Sequence, residues 1–174
     1  PDTKLRCQID DRHLRGGEKL WDQVKKGVPL RVEVGPRDID KNAVMVGRRD
    51  QDPKDKQSYN RDDFISQAST ILADIQENLY TKAESFLTDH TKNIDSLEEL
   101  ENYFSNSASE VSTAPGFALC HWNKAAIGHS LLQKLKLTVR CIPLENSMLY
   151  TAEKGKCLFS GEESNQRVII AKAY

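Results

Sequence analysis

The sequence has few cysteines and no long apolar run, and these shortages exclude several classes of protein. The four cysteines lie far apart and form no CxxC pair. This argues against the disulfide framework of a secreted protein and favours a reducing compartment, so we expect a cytoplasmic protein. No apolar run approaches the ~20 residues that span a bilayer, and the N-terminus lacks a signal-peptide pattern. We therefore expect no membrane partner.

Motifs that identify common enzyme classes are also missing. The sequence contains no Gly-rich phosphate loop, no nucleophile elbow and no metal-binding helix motif. The chain begins with Pro1 rather than Met, which suggests a fragment or a processed chain. Its 174 residues, 38% hydrophobic and 29% charged, suit one domain or two small ones with a modest core.

Charge is nearly balanced over the whole chain but not along it. The net charge is −1, yet residues 1–58 carry 14 Lys and Arg against 11 Asp and Glu, while the remainder carries 11 against 15. A mildly basic first third could face phosphates. On charge alone, ordinary variation of surface charge is the simpler interpretation.

The spacing of apolar residues predicts a first domain over residues 1–90, with strands and helices in alternation. Its longest element is a helix from about 61 to 90 with a 3.6-residue apolar stripe, capped by Asn60 or Ser58. The other predicted elements are a weak strand over 4–9, a Gly16-Gly17 turn or breaker, a helix over 18–26, an antiparallel strand pair over 30–34 and 43–47, and a polar loop over 50–58.

A different pattern over residues 91–174 predicts a second, small α+β domain. Its first helix is marked by a capping box, Ser96 with Glu99. The elements predicted after it are a strand over 117–122, a helix over 124–135, a strand over 137–142, and two strands over 156–159 and 167–173 joined by a polar turn around Gly161.

One group of polar residues lies in and just after the predicted strand pair of the first domain. Arg31 and Glu33 lie two apart and therefore share a strand face, and Arg37 occupies the turn that follows. Arginine offers a planar fork for bidentate contacts to bases or phosphates, and unpaired bases are the usual targets of sequence-specific RNA readers. From the residues alone, a solvated sheet face with an Arg–Glu pair is the simpler interpretation. Further basic residues follow at Arg48, Arg49, Lys54 and Lys56.

A second group contains the cysteines and histidines of the second domain. Zinc needs four ligands at workable spacing, but Cys120 and His121 are adjacent and would point to opposite faces of a strand. A catalytic Cys–His pair has no supporting motif. Buried structural cysteines are the simpler interpretation. The residues considered are Cys120, His121, His129, Cys141 and Cys157.

Several motifs in register resemble the prolyl-tRNA synthetase family. GVPLRVEVGPRD (27–38), continued by RRD (48–50), is similar to the strand and turn of the family's anticodon-binding domain. TVRCIP (138–143), GKCLFSG (155–161) and AKAY (171–174) are similar to the C-terminal domain found in the archaeal- and eukaryotic-like branch of the family, which includes some bacteria. The resemblance runs in order from about residue 5 to the last residue.

The resemblance implies a fold: an α/β anticodon-binding domain, a mixed sheet with helices, followed by the small α+β C-terminal domain. The chain would enter the first domain after its first strand and helix, so residues 1–58 would form an incomplete sheet. The chemistry, ATP-dependent proline activation with Mg and transfer to tRNA, belongs to a catalytic domain whose motifs are absent here. The implied partners are proline tRNA, that catalytic domain and a second subunit of a homodimer.

The resemblance also implies site residues. The family's anticodon-contacting Arg corresponds to Arg31, its Lys falls near Lys54, and its acidic residue falls on Val24 by ungapped count or on Asp22 with two residues inserted after Trp21. We also expect Arg37 and Arg49 to contact tRNA. The resemblance implies that the carboxylate of Tyr174 projects toward the catalytic site. The family's zinc-ligand positions hold Asn123, Gly128, Cys157 and Ser160, so we expect no zinc.

Two other functions remain open from the sequence. One is a free-standing RNA- or protein-interaction module derived from the synthetase. The other is a thiol or metal enzyme that uses Cys120, His121 and Cys157.

Overall fold

The computed structural model describes residues 5–105, 116–150 and 152–173, and Tyr174 lies outside them. The chain divides into two compact units, one ending at Glu84 and the other beginning at Ser85. No helix within the described ranges is long and apolar enough to cross a membrane.

The first unit contains a three-stranded antiparallel sheet in the order β1-β2-β3. The long helix that follows the sheet runs past Glu84, so its final turn belongs to the second unit. The elements are helix α1 (Gly16–Lys25), strand β1 (Leu30–Glu33), helix α2 (Pro36–Asp40), strands β2 (Ala43–Arg48) and β3 (Gln57–Asn60), and helix α3 (Arg61–Asp89).

The two faces of this sheet differ in chemistry because strand side chains alternate. Val44 and Val46 of β2 are buried, and so is one stripe of α3 at the helical spacing, formed by Ala68, Ile71 and Ile75. Tyr59, which is the register partner of Val44, contacts the Phe64 ring of α3 with centroids 5.9 Å apart. This face therefore packs toward α3, and the opposite face carries Arg31 and Glu33.

The second unit contains a mixed four-stranded sheet in the order β4-β5-β9-β6, with β4 and β5 parallel and the other pairs antiparallel. Strands β7 and β8 form a separate antiparallel pair. The elements are strand β4 (Thr91–Asn93), helix α4 (Leu97–Ser105), strand β5 (Phe117–His121), a 3-10 turn (Lys124–Ala126), helix α5 (Ser130–Lys134), and strands β6 (Leu137–Cys141), β7 (Gly155–Lys156), β8 (Glu163–Ser164) and β9 (Arg167–Lys172).

The central strands of this sheet are buried almost along their whole length. Strand β9 is buried from Arg167 to Ala171, and β5 is buried from Ala118 to His121. Strands covered on both faces have such continuous burial. The core formed around them consists of Ile94, Leu100, Phe104, Ala118, Cys120, Ala126, Leu137, Cys157, Phe159, Val168 and Ile170.

The fold class predicted from the sequence is confirmed, and so are most of its elements. Asn60 caps α3 as predicted, since its Oδ1 accepts from the N–H of Asp62 at 2.9 Å. Ser96 caps α4 in the same way, with its hydroxyl accepting from the N–H of Glu99 at 3.1 Å. The structure divides between Glu84 and Ser85, six residues before the predicted domain boundary at 90/91. That boundary stays a prediction.

Several local predictions were wrong. Gly16 and Gly17 lie inside α1 rather than in a turn or breaker, Arg37 lies in α2 rather than in a turn, and the strand predicted over 156–159 ends at Lys156. Residues 5–9 form no strand, and β3 begins inside the segment predicted as a loop. The helix predicted over 124–135 is divided into a 3-10 turn and α5, because Gly128 adopts a φ of +82° that an α-helix cannot contain.

Candidate nucleic-acid interface

One face of the first sheet carries a row of polar side chains. Strand pairing places Arg31 opposite Gly47 and Glu33 opposite Met45, and Met45 in turn lies opposite Ser58. Paired residues point to the same face of a sheet, so these side chains form one surface. The surface joins β1, β2 and β3.

Arg31 lies flat across this surface rather than projecting from it. Only 9% of the residue is exposed. A Cβ placed on Gly47 would come within 3.0 Å of Nη2 of Arg31, so the guanidinium crosses the strand where a side chain is missing. Nη2 donates to the carbonyl of Pro53 at 3.4 Å. Arg31 therefore bridges β1 and the loop that precedes β3.

The Nε of Arg31 is buried and has no acceptor among the described residues. A buried donor without an acceptor costs about 1–3 kcal/mol. Such a cost is unusual for a residue that serves packing alone, which is a reason to regard Arg31 as a candidate functional residue.

Glu33 forms an ion pair with Lys56 rather than with Arg31. Its Oε2 accepts from Nζ of Lys56 at 2.6 Å, and its side chain is about half-exposed. The Arg31–Glu33 pair considered from the sequence is not the one that forms. The pair instead spans the sheet face from β1 to the residue before β3.

Lys54 lies in the loop that Arg31 contacts before β3. It follows Pro53, whose carbonyl accepts from Arg31, and its own N–H donates to Oδ1 of Asp52 at 2.8 Å. Its side chain is exposed. The structure thus places the backbone of Lys54 next to a carbonyl that Arg31 contacts.

Asp22, the candidate acidic contact, lies on α1 and already has a cationic partner. Its Oδ2 accepts from Nη1 of Arg12 at 3.0 Å, and both side chains are partly exposed. Arg12 also chelates Asp10 through Nε and Nη2 at 2.8 and 2.7 Å. Hydrogen bonds from Arg12, aided by one from Gln23, hold the pKa of the Asp10 carboxyl well below its usual range. Sequence reasoning missed this network.

The remaining predicted tRNA contacts are exposed and lie elsewhere in the first unit. The guanidinium of Arg49 lies against Gly27, with Cζ 3.3 Å from a Cβ built there, and the Arg49 N–H donates to the carbonyl of Pro29 at 3.0 Å. Arg37 lies in the first turn of α2. Both side chains are accessible to a phosphate backbone.

Arg48 has a structural role although it is adjacent to Arg49. It forms two hydrogen bonds to the carboxylate of Asp50, at 2.9 and 2.8 Å, and Asp50 also accepts from Asn78 of α3 at 2.8 Å. The Arg48 bonds lower the pKa of Asp50 to about 2 despite its burial. This bidentate pair attaches the end of β2 to α3.

The cysteines and histidines of the second unit do not form a metal cluster. No group of three or more potential ligands occurs within the described part of the chain. Cys120 is fully buried, and burial raises the pKa of its thiol to about 12. Cys157 is also buried, whereas Cys141 is exposed, so the prediction of buried cysteines was wrong for Cys141.

His121 is a buried residue of strand β5 that contacts a cluster of polar side chains, of which Ser164 and Arg167 are buried and Glu153 and Asp95 are exposed. Its Nδ1 lies 3.3 Å from the Ser164 hydroxyl and its Nε2 lies 3.4 Å from the Glu153 carboxylate. Glu153 also pairs with Arg167, which in addition pairs with Asp95 at 2.7 Å and donates to the carbonyl of Leu119 at 3.1 Å. Ser164 donates to the carbonyls of Trp122 and Gln166, so its hydroxyl proton is already engaged by the backbone.

Three of the four positions that the resemblance implies as zinc ligands, Asn123, Cys157 and Ser160, take part in hydrogen bonds. Asn123 caps the 3-10 turn, accepting from the N–H of Ala125 at 3.0 Å and donating to the carbonyl of Glu163 at 2.9 Å. Burial raises the pKa of the Cys157 thiol, but hydrogen bonds from Ser160 and from nearby backbone groups outweigh it and lower the pKa overall. A donor set of one thiol with a hydroxyl and an amide fits zinc poorly.

Comparison with known proteins places both halves of the chain. Residues 1–70 match the family described as "Anticodon binding domain", and residues 107–174 match the family described as "Prolyl-tRNA synthetase, C-terminal". The first part of the chain is therefore similar to anticodon-binding domains, and the last part is similar to the C-terminal domain of prolyl-tRNA synthetases. The polar sheet face described above lies within the residues that match the anticodon-binding family.

Similar proteins match the chain along nearly all of its length. They include the proline–tRNA ligase of Bdellovibrio bacteriovorus, 44% identical over 172 residues that make up 99% of this chain. The proline–tRNA ligase of Protochlamydia amoebophila is 44% identical over 98% of the chain, and proline–tRNA ligase 2 of Anaeromyxobacter dehalogenans is 40% identical over 98%. The chain spans about a third of the length of these relatives.

Proposed function

We propose that this chain is the tRNA-recognition and structural C-terminal part of a proline–tRNA ligase, without catalysis of its own. The observation that carries the proposal is the order of two domain matches, anticodon-binding and then synthetase C-terminal, along a chain that aligns over 98–99% of its length with proline–tRNA ligases. The full-length protein would attach proline to its tRNA with ATP and Mg, as a cytoplasmic homodimer of the archaeal- and eukaryotic-like branch. The chain would divide into domains over 1–90 and 91–174.

The proposed anticodon-contacting group is centred on Arg31. Its burial, its unpartnered Nε and its position beside Lys54 favour a role in binding a base. Lys54, Asp22, Arg37 and Arg49 are the other proposed tRNA contacts. The carboxylate of Tyr174 is proposed to approach the catalytic site of the full-length protein.

Arg31→Ala in the full-length protein tests the anticodon role. Loss of a bidentate base contact costs about 1–3 kcal/mol, so binding of proline tRNA should weaken by about tenfold or more. Proline-dependent pyrophosphate exchange, which needs no tRNA, should be unchanged. Equal loss of both activities would refute the role. Arg61→Ala is the matched control, because Arg61 is an exposed arginine of α3 that pairs only with its neighbour Asp62 among the described residues.

A further inference from the structure

We propose that Glu33 is a second reader of the base that Arg31 binds, accepting a hydrogen bond from the Watson–Crick edge of an anticodon guanine. This inference rests on the proposed function. None of the expected tRNA contacts includes Glu33, and it is assigned here from its place on the polar sheet face.

Glu33 and Arg31 are close enough on β1 to contact two different edges of the same base. The residues are two apart on β1 and point to the same face, so their Cα atoms are separated by about 7 Å. An unpaired guanine offers acceptors at O6 and N7 and donors at N1 and N2 on different parts of its rim. Arg31 supplies donors and Glu33 supplies an acceptor, which match these groups.

The Glu33 carboxylate has a free oxygen to make such a bond. Lys56 occupies Oε2 at 2.6 Å, and no described residue donates to Oε1. The side chain is 49% exposed, so a base can reach it. The Lys56 salt bridge involves the other oxygen and therefore leaves Oε1 available to a base.

The Asp22 carboxylate pairs with an arginine, whereas the Glu33 carboxylate pairs with a lysine. Arg12 occupies Oδ2 of Asp22 and is itself fixed by two bonds to Asp10, so the Asp22 carboxylate belongs to a network on α1. Glu33 is held by a single flexible lysine and lies directly on the strand of Arg31. Asp22 therefore serves as the comparison in the test.

The test is a coupling measurement between protein and tRNA. The full-length protein is assayed for binding to proline-tRNA transcripts that carry either guanosine or inosine at the anticodon guanines, since inosine lacks only the 2-amino group. The unmodified protein should bind the inosine tRNA about tenfold more weakly. Glu33→Met should bind both transcripts equally, at the weaker level, because the acceptor is gone.

Matched variants separate a base contact from a stabilising salt bridge. Lys56→Met removes the same ion pair but keeps the carboxylate, so it should retain the inosine penalty while its melting temperature falls as in Glu33→Met. Glu33→Gln keeps one acceptor oxygen and should show an intermediate inosine penalty. This variant is the one to measure if Glu33→Met folds poorly. An unchanged inosine penalty in Glu33→Met would refute the proposal, and so would its loss in Asp22→Asn alone.

Failure of this inference is distinguishable from failure of the proposed function. Weak tRNA binding by Arg31→Ala together with an intact inosine penalty in Glu33→Met would leave the anticodon role standing and reject Glu33. Unchanged binding of both transcripts by Arg31→Ala would reject the anticodon role of this face and the Glu33 proposal with it.

Discussion

The Arg31 guanidinium lies across Gly47, its partner on the neighbouring strand, so closely that a methyl group on Gly47 would lie 3.0 Å from Nη2. Gly47 is buried in the strand interior, where glycine is otherwise unfavourable. The glycine is therefore explained by the side chain that covers it. The same contact directs Arg31 toward the carbonyl of Pro53 and the loop that carries Lys54.

Gly47→Ala should displace Arg31 without unfolding the sheet. The added Cβ meets the end of a flexible side chain, so the guanidinium moves while the backbone of β2 stays. We expect weaker binding of proline tRNA by the full-length protein, with the melting temperature nearly unchanged. A large fall of the melting temperature, or unaltered tRNA binding, would contradict this account of the contact.

Gly155→Ala should destabilise the second unit. A Cβ at Gly155 would lie 2.5 Å from ring atoms of His121, which is buried and is held by contacts to Ser164 and Glu153. Overpacking of this kind costs about 1–3 kcal/mol. Urea unfolding followed by Trp122 fluorescence in a Trp21→Phe background measures this cost.

Gly17→Ala is the control for that substitution. A Cβ at Gly17 meets no atom within 4 Å, and the residue lies inside α1. Alanine is favoured over glycine in a helix by about 0.5–1 kcal/mol, so the variant should be neutral or slightly stabilised. Equal destabilisation by both glycine substitutions would contradict the specific clash with His121.

Asp50→Asn should lower stability at neutral pH but not in strong acid. The pKa of Asp50 is lowered from 3.8 to about 2 by Arg48, so its contribution is present above about pH 4 and is lost as the pH falls toward 2. The free-energy difference between the parent protein and the variant, about 2 kcal/mol at pH 7 for bonds to a charged group, should shrink over that window. Urea unfolding at several pH values measures it, with the exposed Asp40→Asn as a control that should have little effect.

Alkylation should divide the cysteines into two classes. Cys7 and Cys141 are exposed, whereas Cys120 and Cys157 are buried and the pKa of Cys120 is raised to about 12. Iodoacetamide at about pH 8 should label the exposed pair in the folded protein, and the buried pair only after denaturation. Peptide mass spectrometry reads the sites. Rapid labelling of Cys120 would instead favour the thiol-enzyme hypothesis.

The purified protein should contain no stoichiometric zinc. Of the four positions that the family resemblance implies as zinc ligands, this chain retains a cysteine only at Cys157, and Asn123 is engaged in capping. Elemental analysis should find far less than one zinc per chain, and EDTA should leave the melting temperature unchanged. One zinc per chain, with destabilisation by EDTA, would show that other residues complete a site.

Much of the fold followed from local patterns. The apolar stripe and the Asn60 cap predicted α3 within a residue of its observed ends, and alternation predicted β1 and β2 as an antiparallel pair. These features depend on side chains close in sequence, so no knowledge of distant contacts is required. The resemblance in GVPLRVEVGPRD (27–38) likewise predicted the anticodon-binding domain that the comparison finds over residues 1–70.

The polar strand β3 shows where local patterns fail. Its sequence, QSYN, contains no alternation of apolar residues, and a loop was predicted there. The strand exists because its backbone pairs with β2, from Val46 opposite Gln57 to Ala43 opposite Asn60. Backbone pairing of this kind is invisible to hydrophobic periodicity.

The sequence by itself determined the class of domain, the positions of the long helix and the central strands, and the candidate Arg31. Only the tertiary structure decided the partners of the charged residues. Glu33 pairs with Lys56 rather than Arg31, Asp22 with Arg12, and Arg48 with Asp50. The Glu33 and Asp22 pairs join residues 23 and 10 positions apart in sequence. Strand register and the course of the intervening loops determine such separated contacts, and both are properties of the folded chain.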